Sequence, residues 1–283
     1  MRDEQGLGRG SRRPRGCLRP VHDSPDRCQR AGGPHGEGGR HGHLFRRIDI
    51  PCGRGGPREN LKTCLLSHLQ DRTTLAETHV EVGSKTYRIT HPAAADALID
   101  EDEFASDERL PYWAELWPSA VALARRLPEN LTGERVIELG CGVGLPGVVA
   151  LERGAGVTAT DHYAPALDFT RYNARVNLGI EPNNTWLLDW HSPDKVGLRE
   201  AFDLVLAADV LYEKRNVSAL AALIPTLLVP GGEALIADPH RKDAPEFLER
   251  MKRGGFLSSV EESAVTSGDG HRATVLVHWL RRH

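Results

Sequence analysis

The chain has 283 residues, room for one large domain or two small ones, and a formal net charge of −3. The charge is uneven: residues 1–60 hold 13 Arg, no Lys and 7 acids, a surplus of 6 positive charges, so the remainder holds 9 more acids than bases. No run of about 18 apolar residues occurs, and no apolar stretch follows Arg12-Arg13-Pro14-Arg15, so neither a transmembrane helix nor a secretory signal is expected.

Residues 1–60 are rich in Gly, Arg, Pro and His and poor in large apolar side chains. Such a segment cannot bury enough surface to offset its ordering entropy, so a disordered tail is expected, with residues 61–283 as the folded domain. Its arginines could touch a polyanion. Its His22, His35, His41 and His43 lack the spacing of metal ligands. A solvated tail is the preferred reading, and that function does not need it is a further hypothesis. The cysteines at 17, 28, 52, 64 and 141 form no CxxC pair, and their odd count points to a reducing cytoplasm.

Residues 79–82 and 85–90 flank Gly83-Ser84, a hairpin signal. Residues 92–110 are acidic and irregular, including Asp100-Glu-Asp-Glu103, and read as a solvated linker or as an acidic lip for a basic substrate. Trp117–Leu127 predicts an amphipathic helix. Strand 135–139, helix 145–153, strand 156–160, helix 163–177 and strands 185–188 and 203–208 follow. Helix 216–228 is expected next, kinked or shortened by Pro225 and stopped by Pro230-Gly-Gly232 before strand 233–237. Asp243-x-x-Glu246 reads as a capping box opening helix 244–253, which Gly254-Gly255 closes. Strands at about 257–265 and 273–280 end the chain. The pattern predicts an α/β fold: a Rossmann-like, doubly wound seven-stranded sheet with a C-terminal antiparallel hairpin, plus a short N-terminal β-hairpin.

Residues 136–147 read VIELGCGVGLPG and hold two fingerprints. Gly142-x-Gly144-x-x-Gly147 fits a dinucleotide loop. Gly140-x-Gly142-x-Gly144, led by Glu138, fits a loop for S-adenosylmethionine (SAM). Cys141 could be a nucleophile, but its place in the turn favours a buried spacer. In doubly wound sheets the ligand lies beyond the carboxyl ends of the strands, near the topological switch point. Strand two ends in Asp161, 21 residues after Gly140, where a carboxylate can accept from ribose hydroxyls. Strand three ends in Leu188-Asp189-Trp190, where a carboxylate can meet an adenine amino group and an indole can stack. A helix cap and a core Trp are the plainer reading there. Strand four ends in Ala208-Asp209-Val-Leu-Tyr212, nearest the reacting group, with an N-cap Asp as the plainer alternative. Strand five ends in Asp238-Pro-His-Arg241, a further polar cluster on the same rim.

Glu138 separates the two ligands. A carboxylate before the glycine loop suits an ammonium group and repels a pyrophosphate. The chain also leaves no room for a separate substrate domain. SAM is favoured.

These motifs, ELGCGVG, TATD ending at Asp161, LLDW and Asp209-x-x-Tyr212, resemble the class I, seven-β-strand SAM-dependent methyltransferases. With the preceding Pro111-Tyr-Trp-Ala-Glu-Leu-Trp117-Pro-Ser, they are similar to the protein lysine methyltransferase branch. That branch includes enzymes acting on the electron-transfer flavoprotein β subunit, and bacterial proteins described as predicted nicotinamide N-methylases. The resemblance covers roughly residues 78–280. It implies that Trp117 packs at the cofactor, and that Gly140 and Gly142 (with Gly144) line its methionine end. It implies Asp161 at the ribose, Asp189 and Trp190 at the adenine, and Ala208 against the cofactor. Asp209 and Tyr212 would orient the incoming amine. A lysine of a protein is the favoured acceptor, and a nicotinamide-like small molecule the alternative. A non-catalytic or RNA-binding module is disfavoured by the acidic core, and an oxidoreductase is weaker still. No metal, no membrane and a monomer are expected.

Overall fold

The computed structural model describes residues 65–98, 110–192, 199–266 and 270–282. The expected tail, residues 1–60, and the acidic stretch Asp100–Glu103 lie outside the described residues.

Seven strands form one sheet, β3 (Arg135–Leu139), β4 (Gly156–Asp161), β5 (Asn184–Leu187), β6 (Phe202–Ala208), β7 (Leu228–Asp238), β8 (Phe256–Thr266) and β9 (Arg272–Arg282). Their order is β5-β4-β3-β6-β7-β9-β8. The first five in the order are parallel, while β9 runs antiparallel between β7 and β8. The chain starts at the centre with β3, steps outward to β5, then returns to β6 on the other side. The switch point therefore falls between β3 and β6.

The central strands are near-continuous apolar runs because both their faces are covered. Successive side chains point to opposite faces: Val136, Leu204 and Leu206 join one core, Ile137, Val205 and Ala207 the other. The first core is closed by α1 (Pro118–Arg126), α2 (Leu145–Glu152) and α3 (Ala164–Leu178), through Leu123, Val148 and Phe169. The second is closed by α4 (Lys214–Leu227) and α5 (Ala244–Arg253), through Val217, Leu220 and Phe247. At the amino-terminal edge, Arg135 Nε and its terminal nitrogen donate to the two oxygens of Asp203, both at 2.8 Å. This bidentate pair ties the starts of β3 and β6 together.

The expected N-terminal hairpin is present as β1 (Leu75–Val82) and β2 (Lys85–Pro92), a separate two-stranded sheet. It turns at Gly83, whose φ of 60° suits a residue without a Cβ. Two asparagines one turn apart on α3 grip β2 as a neighbouring strand would. Thr90 N–H donates to Asn173 Oδ1 at 2.8 Å, and Asn173 Nδ2 donates back to the Thr90 carbonyl at 2.9 Å. Asn177 makes the same pair of bonds with Arg88, at 2.9 and 2.8 Å.

Two local expectations are corrected. Pro230-Gly-Gly232 does not stop α4. The helix ends at Leu227, and β7 begins at the next residue and contains the triplet. The register with β6 steps from Phe202↔Leu228 to Leu204↔Glu233, so β7 carries extra residues there, with Gly231 at φ 80°. Pro225 sits in the last turn of α4, where its missing N–H removes one bond near the end and the helix tolerates it. The capping box at Asp243 does not form. Asp243 has helical backbone angles and no side-chain cap bond, and Glu246 pairs with Arg250 at 2.7 Å. The preceding turn is held by Asp238 Oδ2, which accepts from the Arg241 N–H at 2.9 Å. Among the described residues no helix is long and apolar enough to cross a membrane.

Candidate active site

A cleft enclosing about 1040 Å³ of empty space, part of it open to solvent, lies at the carboxyl ends of the strands around the β3/β6 switch point. All the residues singled out from the sequence line it: Trp117, Glu138, Gly140, Gly142, Gly144, Asp161, Asp189, Trp190, Ala208, Asp209 and Tyr212. They come from strand ends and loops spread over nearly 100 residues, and only the sheet order brings them together.

The glycine loop has φ of 71°, 52° and 87° at Gly140, Gly142 and Gly144, left-handed backbone that favours glycine. The close approaches these glycines permit are made by protein. A Cβ on Gly140 would lie 3.0 Å from the Trp190 ring, one on Gly142 3.1 Å from the Trp113 carbonyl, and one on Gly144 2.5 Å from Thr170 Oγ1. The loop is thus packed closely by Trp190, Trp113 and Thr170, and it lines the cleft together with the two indoles.

Glu138 is buried at the end of β3, and its Oε2 makes no hydrogen bond of ordinary geometry among the described residues. Burial pushes its pKa up to about 8, offset in part by the Gly147 N–H and reinforced by Asp161. Asp161, at the end of β4, accepts from the Gly142 N–H at 2.9 Å and from the Tyr163 N–H at 3.0 Å. Burial raises it to about 6 despite those bonds. The His162 N–H is a third backbone donor to this carboxylate, which leaves about one lone pair for a further donor. Cys141 is buried, with Thr170 Oγ1 donating to its sulfur at 3.3 Å, so it is the spacer expected.

Asp189 accepts from the His191 N–H at 2.9 Å and from Ser192 Oγ at 3.3 Å. The Trp190 ring leans back across the switch point, against Gly140 and near Val210, and its buried Nε1 has no hydrogen-bond partner among the described residues. The ring lines the same cleft as Asp189.

At the end of β6, Ala208 leads into Asp209, which is buried, has φ 55°, and accepts from Arg241 Nε at 2.8 Å. The Tyr212 ring packs on Tyr112, with centroids 5.2 Å apart. Its hydroxyl is raised to about 12 by burial and by Glu213, against an opposing bond from Asn216. Trp117 precedes α1 and donates from Nε1 to the Tyr112 carbonyl at 2.7 Å, which fixes this aromatic segment over the cleft. Sequence reasoning missed Arg241 as the partner of Asp209, although the polar cluster after β7 was visible. It also missed Trp113 over Gly142 and Asn173, whose Nδ2 donates to the Val143 carbonyl at 2.8 Å.

The strand order and the switch-point cleft define a doubly wound α/β protein built to hold a nucleotide-like ligand. The chain belongs to the lysine methyltransferase family, whose profile matches residues 105–254. The histidine protein methyltransferase 1 homolog of Dictyostelium discoideum is 31% identical over 128 residues, 44% of this chain and 41% of that protein. The electron transfer flavoprotein beta subunit lysine methyltransferase of Danio rerio is 34% identical over 163 residues, 54% of this chain and 61% of that protein. Protein N-lysine methyltransferase METTL21A of Danio rerio is 36% identical over 156 residues, 52% of this chain and 70% of that protein. The chain therefore spans less than two thirds of the first two relatives, and the names of the three cover two acceptor side chains.

Proposed function

We propose that this protein transfers a methyl group from SAM to a lysine side chain of a protein. The observation that carries the reading is one cleft holding a glycine loop, a hydroxyl-accepting Asp161, a protonatable Glu138 and, beyond Gly140, the buried carboxylate Asp209. The donor set suits SAM. Glu138 brings a buried carboxylate to the cleft lining, where an ammonium group would find its counter-charge. Asp161 retains acceptor capacity for ribose hydroxyls, and the half-buried Asp189 for an adenine amino group.

SAM supplies an electrophilic methyl carbon on a sulfonium. The acceptor nitrogen forms its bond to carbon as the carbon–sulfur bond breaks, sulfur keeps the bonding pair, and the product nitrogen takes the positive charge. The protein's part is positioning and exclusion of water. Tyr112, Trp117 and Tyr212 wall the acceptor side, and Asp209 aims the amine. A lysine near pKa 10.4 gives its proton to water first, at a cost of about 4–5 kcal/mol at neutral pH.

The test is incubation of labelled SAM with a lysate, before and after small molecules are removed, followed by acid hydrolysis. Label in methyl-lysine supports the reading. Label in methylhistidine or only in small molecules would overturn the acceptor assignment, and full turnover by Asp209→Ala would overturn that residue's role. We infer further that residues 61–283 suffice, and that the enzyme acts as a cytoplasmic monomer without nucleic acid. Loss of activity on deleting residues 1–60, or a dimer by light scattering, would count against this.

A further inference from the structure

Asp209 poses a difficulty for the reaction just proposed. A carboxylate beside the acceptor holds it as the ammonium, yet only the neutral amine can attack. The structure contains a counter-charge. Arg241 Nε donates to Asp209 Oδ1 at 2.8 Å, with the Asp209 side chain 5% exposed and that of Arg241 38% exposed. Asp209 lines the cleft, and its Oδ1 is held by Arg241, whose guanidinium also lies near Tyr112 of the cleft wall.

The pair is built into the backbone. Asp209 and His240 have φ of 55° and 64°, left-handed conformations that Asp and His adopt more readily than most non-glycine residues and that turn the chain sharply at each strand end. The Asp209 N–H donates to the Ala237 carbonyl at 2.8 Å, and the Arg241 N–H to Asp238 Oδ2 at 2.9 Å. Two strand ends are thus locked so that one side chain from each meets the other.

We propose that Arg241 is a positioning residue that neutralises Asp209, so that the acceptor nitrogen meets an ion pair in place of a bare carboxylate and sheds its proton to water nearer neutral pH. This rests on the lysine methyl transfer proposed above. Among the described residues, the other charged or titratable groups around Asp209 include Asp238 and His240 from the turn after β7, Tyr112 from the segment before α1, and Tyr212, Glu213 and Arg215 after β6. Asp238 adds negative charge when ionised, which increases the need for the guanidinium.

Two variants separate charge from hydrogen bonding: Arg241→Lys keeps the charge, and Arg241→Gln keeps a donor without it. Label transfer from SAM into dialysed lysate protein is followed from about pH 6.5 to 10, with melting temperature and SAM affinity measured for each variant. In Arg241→Gln the rising limb should move up by about one pH unit, a tenfold loss near neutrality that vanishes at the alkaline end. Arg241→Lys should follow the wild type. A Gln profile that overlays the wild type, or an equal loss at every pH in both variants, would overturn the proposal. No protein label with the wild-type enzyme would instead sink the lysine methyl transfer on which it rests.

Discussion

Glu138 occupies the space that a side chain at residue 147 would need: a Cβ on Gly147 would lie 2.5 Å from Glu138 Oε2. The third glycine of the dinucleotide-like pattern therefore serves a carboxylate and no phosphate. Gly147→Ala should push the carboxylate aside. The expected outcome is a stability loss of about 1–3 kcal/mol from overpacking, measured by chemical denaturation, together with weaker SAM binding measured by calorimetry. A folded variant that binds SAM as tightly as the wild type would remove Glu138 from the cofactor site.

With Glu138 and Asp161 at the cofactor, as proposed, their raised pKa values make cofactor binding depend on pH. Glu138 near 8 and Asp161 near 6 hold protons in the folded protein that the unfolded chain releases near its ordinary carboxylate range. Their contribution to stability is present below that range and is lost as pH rises through the folded values. Binding an ammonium needs Glu138 ionised, so affinity should rise as pH climbs toward about 8, with proton release at neutral pH. Glu138→Gln should abolish that release. Titration with S-adenosylhomocysteine in buffers of different ionisation heat counts the protons, and an equal count in both proteins would rule Glu138 out as the source.

Asn173 joins β2 to the glycine loop through Thr90 and Val143. Asn173→Ala strands these buried groups and should cost about 2–3 kcal/mol, whereas Asn177→Ala, whose bonds to Arg88 are exposed, should cost about 1 kcal/mol. Because Val143 is in the loop, the Asn173 variant should also lose SAM affinity and the Asn177 variant should not. Equal effects of the two on affinity would show that the hairpin does not support the loop.

Much of this architecture was legible in the sequence because it depends on local periodicity. The apolar runs of β3 and β6 and the alternation of strand and helix imply a parallel sheet. A parallel sheet gathers residues at its carboxyl rim, so Asp161, Asp189 and Asp209 could be placed there from their positions at strand ends. What was not legible depends on register between distant segments. Nothing within a few residues of Asp209 indicates that its partner is Arg241, which reaches it only through the turn held by Asp238. Likewise Pro230-Gly-Gly232 has the composition of a helix stop. Its place in β7 follows from pairing with β6, which composition does not report. The Asp243 cap failed because a turn already fixed upstream by Asp238 left its backbone helical.

The buried sulfur in the middle of the cofactor loop has a consequence for chemical durability. Burial, with Asp161 and Glu138 adding to it, raises the Cys141 thiol well above its ordinary range. Peroxides and alkylating agents attack the thiolate, and Cys141 supplies almost none. Iodoacetamide should leave Cys141 unmodified in the native protein and modify it after unfolding, as read by peptide mass spectrometry. A glycine loop whose sulfur stays inert keeps its shape through swings in oxidant level.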